Sequence, residues 1–470
     1  MRDHLKFIIR EGRKMIRKAM VLGMARSGIA AAKLLLLRGA EVWVCDQKNK
    51  EDFAGALDEI ENSGAHLVLG EAHPEQYLPG LDALIVSPAI DMEHPMVKRA
   101  RELGVEVIGE IEYAYRESNG LLLAVTGTNG KTTTVTLLGK IFKNAGRTTF
   151  VVGNIGNPYS GAVPQMRAGD VTVCEVSSFM LETIVKFHPA VSAVLNISED
   201  HMNRHHTMEN YVALKERIFE NEGAGDFVVL NYDDPVTRDM ANRAKARVVW
   251  FSSREVVPYG AFVLNGEIVF GSENAHTTIC RADEVYIPGE HNLRNALAAA
   301  AMATVSGIPA PVIRHTLRTF QGVEHRIEFV RELDGVRFIN DSKGTNVDST
   351  IQAVRAMNRD TTLILGGYDK HCDFSPLVEV IRQTPCIRRI LLIGATAKQI
   401  GETLDRFGFT EYEHCGTDFK KTVARAFEIT PAGGSVLFSP SCASFDMFTD
   451  FEARGRIFKD YANALESREK

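Results

Sequence analysis

One stretch constrains this chain more than any other. An apolar run, Leu121 to Val125, passes through Thr126-Gly127-Thr128-Asn129-Gly130 into Lys131-Thr132-Thr133-Thr134. A strand that turns through two glycines into a helix aims backbone N–H groups and the helix dipole, roughly half an elementary charge, at one small volume, and that volume suits a phosphate. Gly127 and Gly130 let the backbone come close, Thr128, Asn129 and Thr133 complete the loop, Lys131 is placed to reach the outer phosphates, and the Thr132 hydroxyl is placed to ligate Mg2+. The spacing is shorter than the full G-x-x-x-x-G-K-[ST] pattern, because Val125 stands where the first glycine belongs. The strand, turn and helix around it therefore carry the assignment.

The rest of the chain reads as α/β on either side of this loop. Upstream, a strand near Ala19 to Leu22, a turn at Gly23-Met24-Ala25-Arg26-Ser27-Gly28, a helix to about Arg38 and a strand Glu41 to Cys45 ending at Asp46 form a βαβ unit. Further strands are expected at 66–69, 83–86 and 105–108, so residues 1–118 read as a Rossmann-like domain. Residues 119–323 read as a central P-loop-type domain with a mainly parallel sheet. Its strands are expected at 121–125, 171–175, 190–196 and 227–231, because buried parallel strands are unbroken apolar runs. Between about Arg247 and Ile287 alternation and turns such as Asn265-Gly266 suggest an antiparallel insert, and a helix Asn292 to Ser306 closes the domain. Residues 324–470 read as a second Rossmann-like domain with strands at 336–340, 362–365, 389–393 and 435–438. Ligands gather beyond the carboxyl ends of such strands, where Asp341, Lys343, Gly366, Gly367, Lys370, Ser439 and Ser444 fall.

Composition narrows the classes. A length of 470 residues carries a prior of about three domains. The formal charge of -6 gives no electrostatic reason to expect nucleic acid or an anionic membrane as partner. Seven scattered cysteines without C-x-x-C pairs fit a reducing cytoplasm. Before Ala19 the chain is basic, and Leu5, Ile8, Ile9, Met15 and Ile16 lie near helical spacing; a short amphipathic helix packed on the first domain is the plain expectation, a membrane-surface contact the alternative. No run approaches the ~18 apolar residues of a spanning helix.

Several residues outside the loop carry chemistry of their own. The glycine turn at Gly23, with Asp46 at the next strand end, is close to a dinucleotide fingerprint, but Ala25 stands where NAD sites carry glycine. NAD, another nucleotide and simple helix–sheet packing stay open on these residues alone. Glu175, at the end of its strand in Glu175-Val176-Ser177-Ser178, would put a carboxylate beside the phosphate loop as a metal ligand, or else serve as a capping or ion-paired residue. His201 ends another strand region and Lys215 lies on the next helix; alone, such a histidine is more often structural than a ligand.

Taken together, TGTNGKTT, EVSSFMLE, LNISEDHMNRH with YVALKERIF, GEHNLRNALAA, HRIEFV, INDSKGTN, GGYDK and SPSCASFDMFTDFEARG resemble the Mur ligases, in order from about Met20 to Phe458. The DHMNRH and SCASFDMF segments resemble most the members that add D-glutamate. The resemblance implies an ATP-dependent amide ligase of peptidoglycan precursor synthesis, monomeric and cytoplasmic, that joins D-glutamate to UDP-N-acetylmuramoyl-L-alanine through an acyl phosphate. It also implies a UDP-substrate domain, an ATP domain and a mobile third domain that brings the amino acid.

By motif, the resemblance assigns Arg26, Ser27, Asp46 and Lys48 to the uridine diphosphate and Asn154 to the muramoyl part, with His201 also near that substrate. Lys131 and Thr132 would hold the ATP phosphates and Mg2+, Glu175 would complete the first metal site, and His201 and Lys215, the latter as a carbamate, would hold a second Mg2+. Asn292, Asn295 and Arg326 would contact ATP, Asp341 its ribose, and Lys343 the carbamate and phosphate region. Thr345, Lys370, Ser444, Phe445 and Phe451 would receive D-glutamate. Gln47 and Lys48 stand where some relatives have Thr and Arg, and a lysine cannot make a bidentate fork. The competing expectations are a sibling Mur ligase or folylpolyglutamate-type ligase, a nucleotide-binding sensor without ligase activity, and a dehydrogenase.

Overall fold

A computed structural model describes residues 15–468 except Ala54 and residues 369–371. Lys370 and most of the expected N-terminal helix, including Leu5, Ile8 and Ile9, lie outside the described residues. Met15 and Ile16 lie within them and are not helical; they lead directly into the first strand. The chain divides into two compact units, Met1–Phe320 and Gln321–Lys470.

The first unit holds two sheets. Strands β1 (Lys18–Leu22), β2 (Glu41–Asp46), β3 (His66–Leu69), β4 (Ala83–Val86) and β5 (Glu106–Gly109) make a parallel sheet of order β3-β2-β1-β4-β5. Strand order reverses between β1 and β4, which opens a crevice at their carboxyl ends. The helix Arg26–Leu37, built of strong helix formers, buries Ala31, Ala32, Leu34 and Leu35 beneath this sheet.

The second sheet has nine strands: β6 (Leu121–Thr126), β7 (Thr149–Gly153), β8 (Val171–Glu175), β9 (Val191–Val194), β10 (Phe227–Asn231), β11 (Arg247–Ser252), β12 (Gly260–Leu264), β13 (Glu267–Ser272) and β14 (Ala275–Arg281). Their order is β14-β13-β12-β11-β10-β9-β6-β8-β7. β6 therefore lies between β8 and β9, and the ends of both neighbours open beside the phosphate loop. The expected antiparallel insert needs correction. β11 and β12 pair in parallel and extend the main sheet, and only the β12-β13-β14 meander is antiparallel. The partly exposed positions of β11 and β12 make them look like a separate alternating unit in sequence, although both lie inside the sheet. β7 was also not among the expected strands. The helix Glu290–Val305 buries Ala296 to Ala303 completely, and these small side chains let it pack closely on the helix Lys131–Asn144 and on β10 to β12.

The second unit is one sheet of order β15-β16-β20-β17-β18-β19, formed by β15 (Glu328–Leu333), β16 (Val336–Asn340), β17 (Thr361–Gly366), β18 (Ile387–Ile393), β19 (Tyr412–Gly416) and β20 (Ser435–Phe438). It is parallel except for the edge strand β15. The two edge strands, β15 and β19, were not legible as apolar runs, since each buries only part of its side chains. β16 and β17 flank β20, so Asp341, Gly366 and Ser439 emerge side by side. Among the described residues no helix is long and apolar enough to cross a membrane, and the seven cysteines are free thiols.

Candidate functional site

The phosphate loop leaves β6 with Gly127 at φ 143° and Gly130 at φ 85°. A side chain at either would be strained in conformation and crowded: a Cβ on Gly127 would stand 3.0 Å from that of Leu195, and one on Gly130, 2.2 Å from Asn295 Oδ1, would have to push the Asn295 side chain aside. Gly130 caps the helix Lys131–Asn144, so the free N–H groups of its first turn face the loop. Asn196, beyond β9, braces the loop: its Oδ1 accepts from Asn129 N at 2.8 Å and its Nδ2 donates to Asn129 O at 3.0 Å. Thr128 Oγ1 donates to Ser198 O and accepts from Ser198 N. Lys131 folds over the loop and donates to the carbonyls of Gly127 and Thr128, both at 2.8 Å. Asn295 and Asn292 sit one helical turn apart beside Gly130, joined by a 3.4 Å contact, and Asn292 Nδ2 donates to Pro288 O.

Glu175 ends β8 and is 2% exposed. Asn154 fixes it from the neighbouring strand end, with Nδ2 donating to Oε1 at 3.0 Å. The other carboxylate oxygen is buried and receives no hydrogen bond among the described residues. A buried carboxylate oxygen left unpaired is costly, and a hard cation is the natural partner for it and for the buried Thr132 hydroxyl. This donor set fits Mg2+.

The segment after β9 forms an aromatic row. His201, the half-exposed residue before the short helix Met202–His205, has a left-handed backbone at φ 55°. Its ring lies 4.9 Å from that of Phe179, and the buried His205 ring lies 5.3 Å from Phe179 and 5.1 Å from Tyr211. Burial, with His201 and Arg204 adding, depresses His205 to about 4, so it is a neutral ring that meets Ser178 Oγ at 3.0 Å. Tyr211 reaches Thr128 Oγ1 with its hydroxyl and covers Lys215 Nζ with its ring at 4.7 Å. Lys215 is 1% exposed and donates to Gly127 O at 2.9 Å, the carbonyl that Lys131 also uses. Burial, and secondarily the Lys131 charge, holds its amine well below the ordinary lysine value. Lys131 and Lys215 thus meet on one loop carbonyl, with Thr132 starting the helix behind the loop and Glu175 ending the strand beside it. Asn196, Tyr211 and Phe179 belong to that arrangement, and their signal in sequence was only their place inside motifs noted for other residues.

On the first sheet, Asp46 Oδ2 accepts from Met24 N at 2.7 Å and Oδ1 from Lys48 N, so this carboxylate ties the Gly23 turn to the end of β2. Ser27 faces Ser87 across the crevice, hydroxyl to hydroxyl at 3.5 Å. The Arg26 guanidinium lies over the Gly153–Gly156 turn that carries Asn154, where a Cβ on Gly156 would stand 3.4 Å from it.

In the second unit Asp341 is buried. Its Oδ2 accepts from Ser439 Oγ at 2.6 Å and its Oδ1 from Ile327 N, burial raises it to about 6, and Arg326 acts in the opposite sense. Lys343 follows it, 5.8 Å from the Phe451 ring, with Thr345 N bonded to Lys343 O. Ser444 is buried, while Phe445 is exposed and meets Tyr368 edge-on at 6.1 Å. The buried Arg454 knits these loops by donating to Ser342 O and to the carbonyls of Cys442 and Ala443.

Fold and loop together define an α/β protein of the nucleotide-binding class, whose glycine loop carries Lys131 and Lys215 on its carbonyls and has Glu175 at the end of the neighbouring strand. Three family descriptions match it in order: "Mur ligase MurD-like, N-terminal domain" over residues 17–109, "Mur ligase middle domain" over 125–303, and "Mur ligase, glutamate ligase domain" over 325–442. The protein named UDP-N-acetylmuramoylalanine--D-glutamate ligase from Caldanaerobacter subterraneus subsp. tengcongensis is 45% identical over 94% of this chain and 97% of its own length. The protein of the same name from Clostridioides difficile is 42% identical over 96% and 99%. The fold is shared with the UDP-N-acetylmuramate-alanine ligase of Thermotoga maritima, at TM-score 0.58 and 18% identity over 96% of this chain and 100% of that one. It is also shared with MurF of Acinetobacter baumannii, at 0.57 and 18% over 83% and 92%. The chain belongs to the Mur ligase family.

Proposed function

We propose that this protein is the ATP-dependent ligase that joins D-glutamate to UDP-N-acetylmuramoyl-L-alanine, working as a cytoplasmic monomer in peptidoglycan precursor synthesis. The single observation that carries the reading is that Lys131 and the buried Lys215 meet on one carbonyl of the glycine loop, with Glu175, one of whose oxygens has no partner among the described residues, ending the strand beside it. Near-full-length relatives bearing that ligase name support the choice of substrate.

Transfer of a phosphoryl group from ATP to a carboxylate brings two anions together. At ~4 Å and an effective dielectric near 20, each pair of like unit charges repels by about 4 kcal/mol. The loop N–H groups, the helix start and Lys131 oppose that repulsion. Lys131 must leave the carbonyls of Gly127 and Thr128 to meet the phosphates, and those bonds hold it in reserve beside them. Thr132 and Glu175 would hold one Mg2+, and His201 with Lys215 as its carbamate a second; bound there, Mg2+ supplies charge neutralisation between the reacting anions. Burial favours the uncharged Lys215 amine, which is the form that adds CO2.

Ser27, Arg26, Asp46 and Lys48 are assigned to the uridine diphosphate end and Asn154 to the muramoyl end. Asn292, Asn295, Arg326 and Asp341 are assigned to ATP, and Lys343 to the phosphate region. Thr345, Lys370, Ser444, Phe445 and Phe451 are assigned to D-glutamate. The amine of D-glutamate displaces phosphate from the acyl phosphate, forming the amide and releasing orthophosphate. The test is phosphate release by purified protein with ATP, Mg2+, UDP-N-acetylmuramoyl-L-alanine and either D- or L-glutamate. Release with the D form alone is expected, and no release with either form refutes the reading.

A further inference from the structure

Arg204 lies three residues beyond His201, yet its guanidinium reaches back to the first sheet. Nη1 donates to Pro88 O at 3.1 Å and to Ala89 O at 3.4 Å, and Nη2 to Ile90 O at 2.8 Å. Nε and Nη2 also donate to the two oxygens of Glu182, at 3.2 and 2.6 Å. Its plane covers the Phe179 ring at 4.4 Å. The guanidinium is thus used on every edge and one face, and both charged side chains are largely buried, 14% and 11% exposed. So many partners exceed what a simple ion pair needs.

Both ends of this bridge belong to the site. Pro88 to Ile90 follow β4, at the point where strand order reverses beside β1. Ser87 Oγ donates to Gly23 O at 2.6 Å and Ile90 N bonds to Ser87 O, so the turn forms one wall of the crevice above the Gly23 turn. At the other end Phe179 carries Arg204 on its ring and lies against His201 and His205. An unbroken series of contacts therefore runs from the Gly23 turn, through Ser87 to Ile90 and Arg204, to Phe179 and His201.

We infer that Arg204 is a positioning residue for the UDP-linked substrate: it locks the crevice wall at Pro88 to Ile90 to the Phe179–His201 segment, so that the nucleotide end and the reacting end of one extended substrate are held in register. The inference rests on the proposed UDP-N-acetylmuramoyl-L-alanine specificity. A planar fork is needed to meet three consecutive carbonyls and a carboxylate at once, and a lysine in its place could serve only part of them.

The test uses the full chain with Arg204→Lys and Arg204→Met. Binding of UDP-N-acetylmuramoyl-L-alanine and, separately, of a non-hydrolysable ATP analogue is measured by calorimetry, with melting temperature as the control for folding. Loss of charge-assisted hydrogen bonds of this kind weakens binding on the order of tenfold to hundredfold. That loss is expected for the muramoyl nucleotide in both variants, smaller in Arg204→Lys, while ATP-analogue binding stays within about twofold, and millimolar guanidinium is expected to restore part of the loss in Arg204→Met. The inference is overturned if both ligands weaken together in step with melting temperature, or if neither changes. Wild-type protein that binds the muramoyl nucleotide but releases no phosphate with D-glutamate would sink the functional reading and leave the binding result to judge Arg204.

Discussion

Replacing Glu110 by glutamine should make the protein less sensitive to rising pH. Glu110 begins the helix Glu110–Glu117 and is 2% exposed. One carboxyl oxygen accepts from Ser160 N at 2.5 Å, while the other has no donor among the described residues, and the titratable neighbour facing it, Cys174, is a buried thiol pushed well up. Burial raises the Glu110 carboxyl from 4.5 to about 7. Between those values the native state holds a proton that the unfolded chain has released, so stability falls as pH rises through the window and the whole penalty is present above about 7. That gap, at about 1.4 kcal/mol per pH unit, makes about 3 kcal/mol. Glu110→Gln keeps the acceptor for Ser160 N and removes the ionisation. Urea denaturation of wild type and variant from pH 4.5 to 8.5, taken as a difference, cancels all other titrating groups. The variant should gain about 3 kcal/mol relative to wild type across the window. A difference that stays flat with pH would refute a buried, proton-holding Glu110.

Other expectations follow from the loop. Lys215→Ala should abolish ligation, and short carboxylic acids should restore part of it by supplying the oxygen ligand of the proposed carbamate; absence of rescue in a variant that still binds ATP argues against the carbamate. Gly130→Ala should raise the KM for ATP steeply and cost about 1–2 kcal/mol of stability, because its backbone is left-handed and Asn295 Oδ1 occupies the space of a Cβ. Wild-type ATP affinity in that variant would mean the loop is not the phosphate site.

Strand and helix content was legible wherever residues are buried on both faces. The runs at 121–125, 171–175 and 435–438 could be read directly, and β6, β8 and β20 fall on them. Edge elements were not. β15 and β19 alternate imperfectly, and β11 and β12, although they lie inside their sheet, looked like part of an antiparallel insert, because a strand's residue pattern does not say whether its neighbour runs parallel or antiparallel to it. Site residues divided in a similar way. Gly127, Gly130 and Lys131 announce themselves by spacing within one turn, whereas Asn196, Tyr211 and Arg204 gain meaning only from what they touch.

The amino-acid order alone determined the phosphate loop and its flanking strand and helix, since their geometry is set by neighbours along the chain and by glycines that tolerate left-handed backbone. Tertiary structure alone decided that Glu175 keeps one oxygen without a partner among the described residues, that Lys215 is buried on the carbonyl Lys131 also uses, and that Arg204 reaches the first sheet. Burial and hydrogen-bond partnership are sums over residues distant in sequence, and no local pattern contains them.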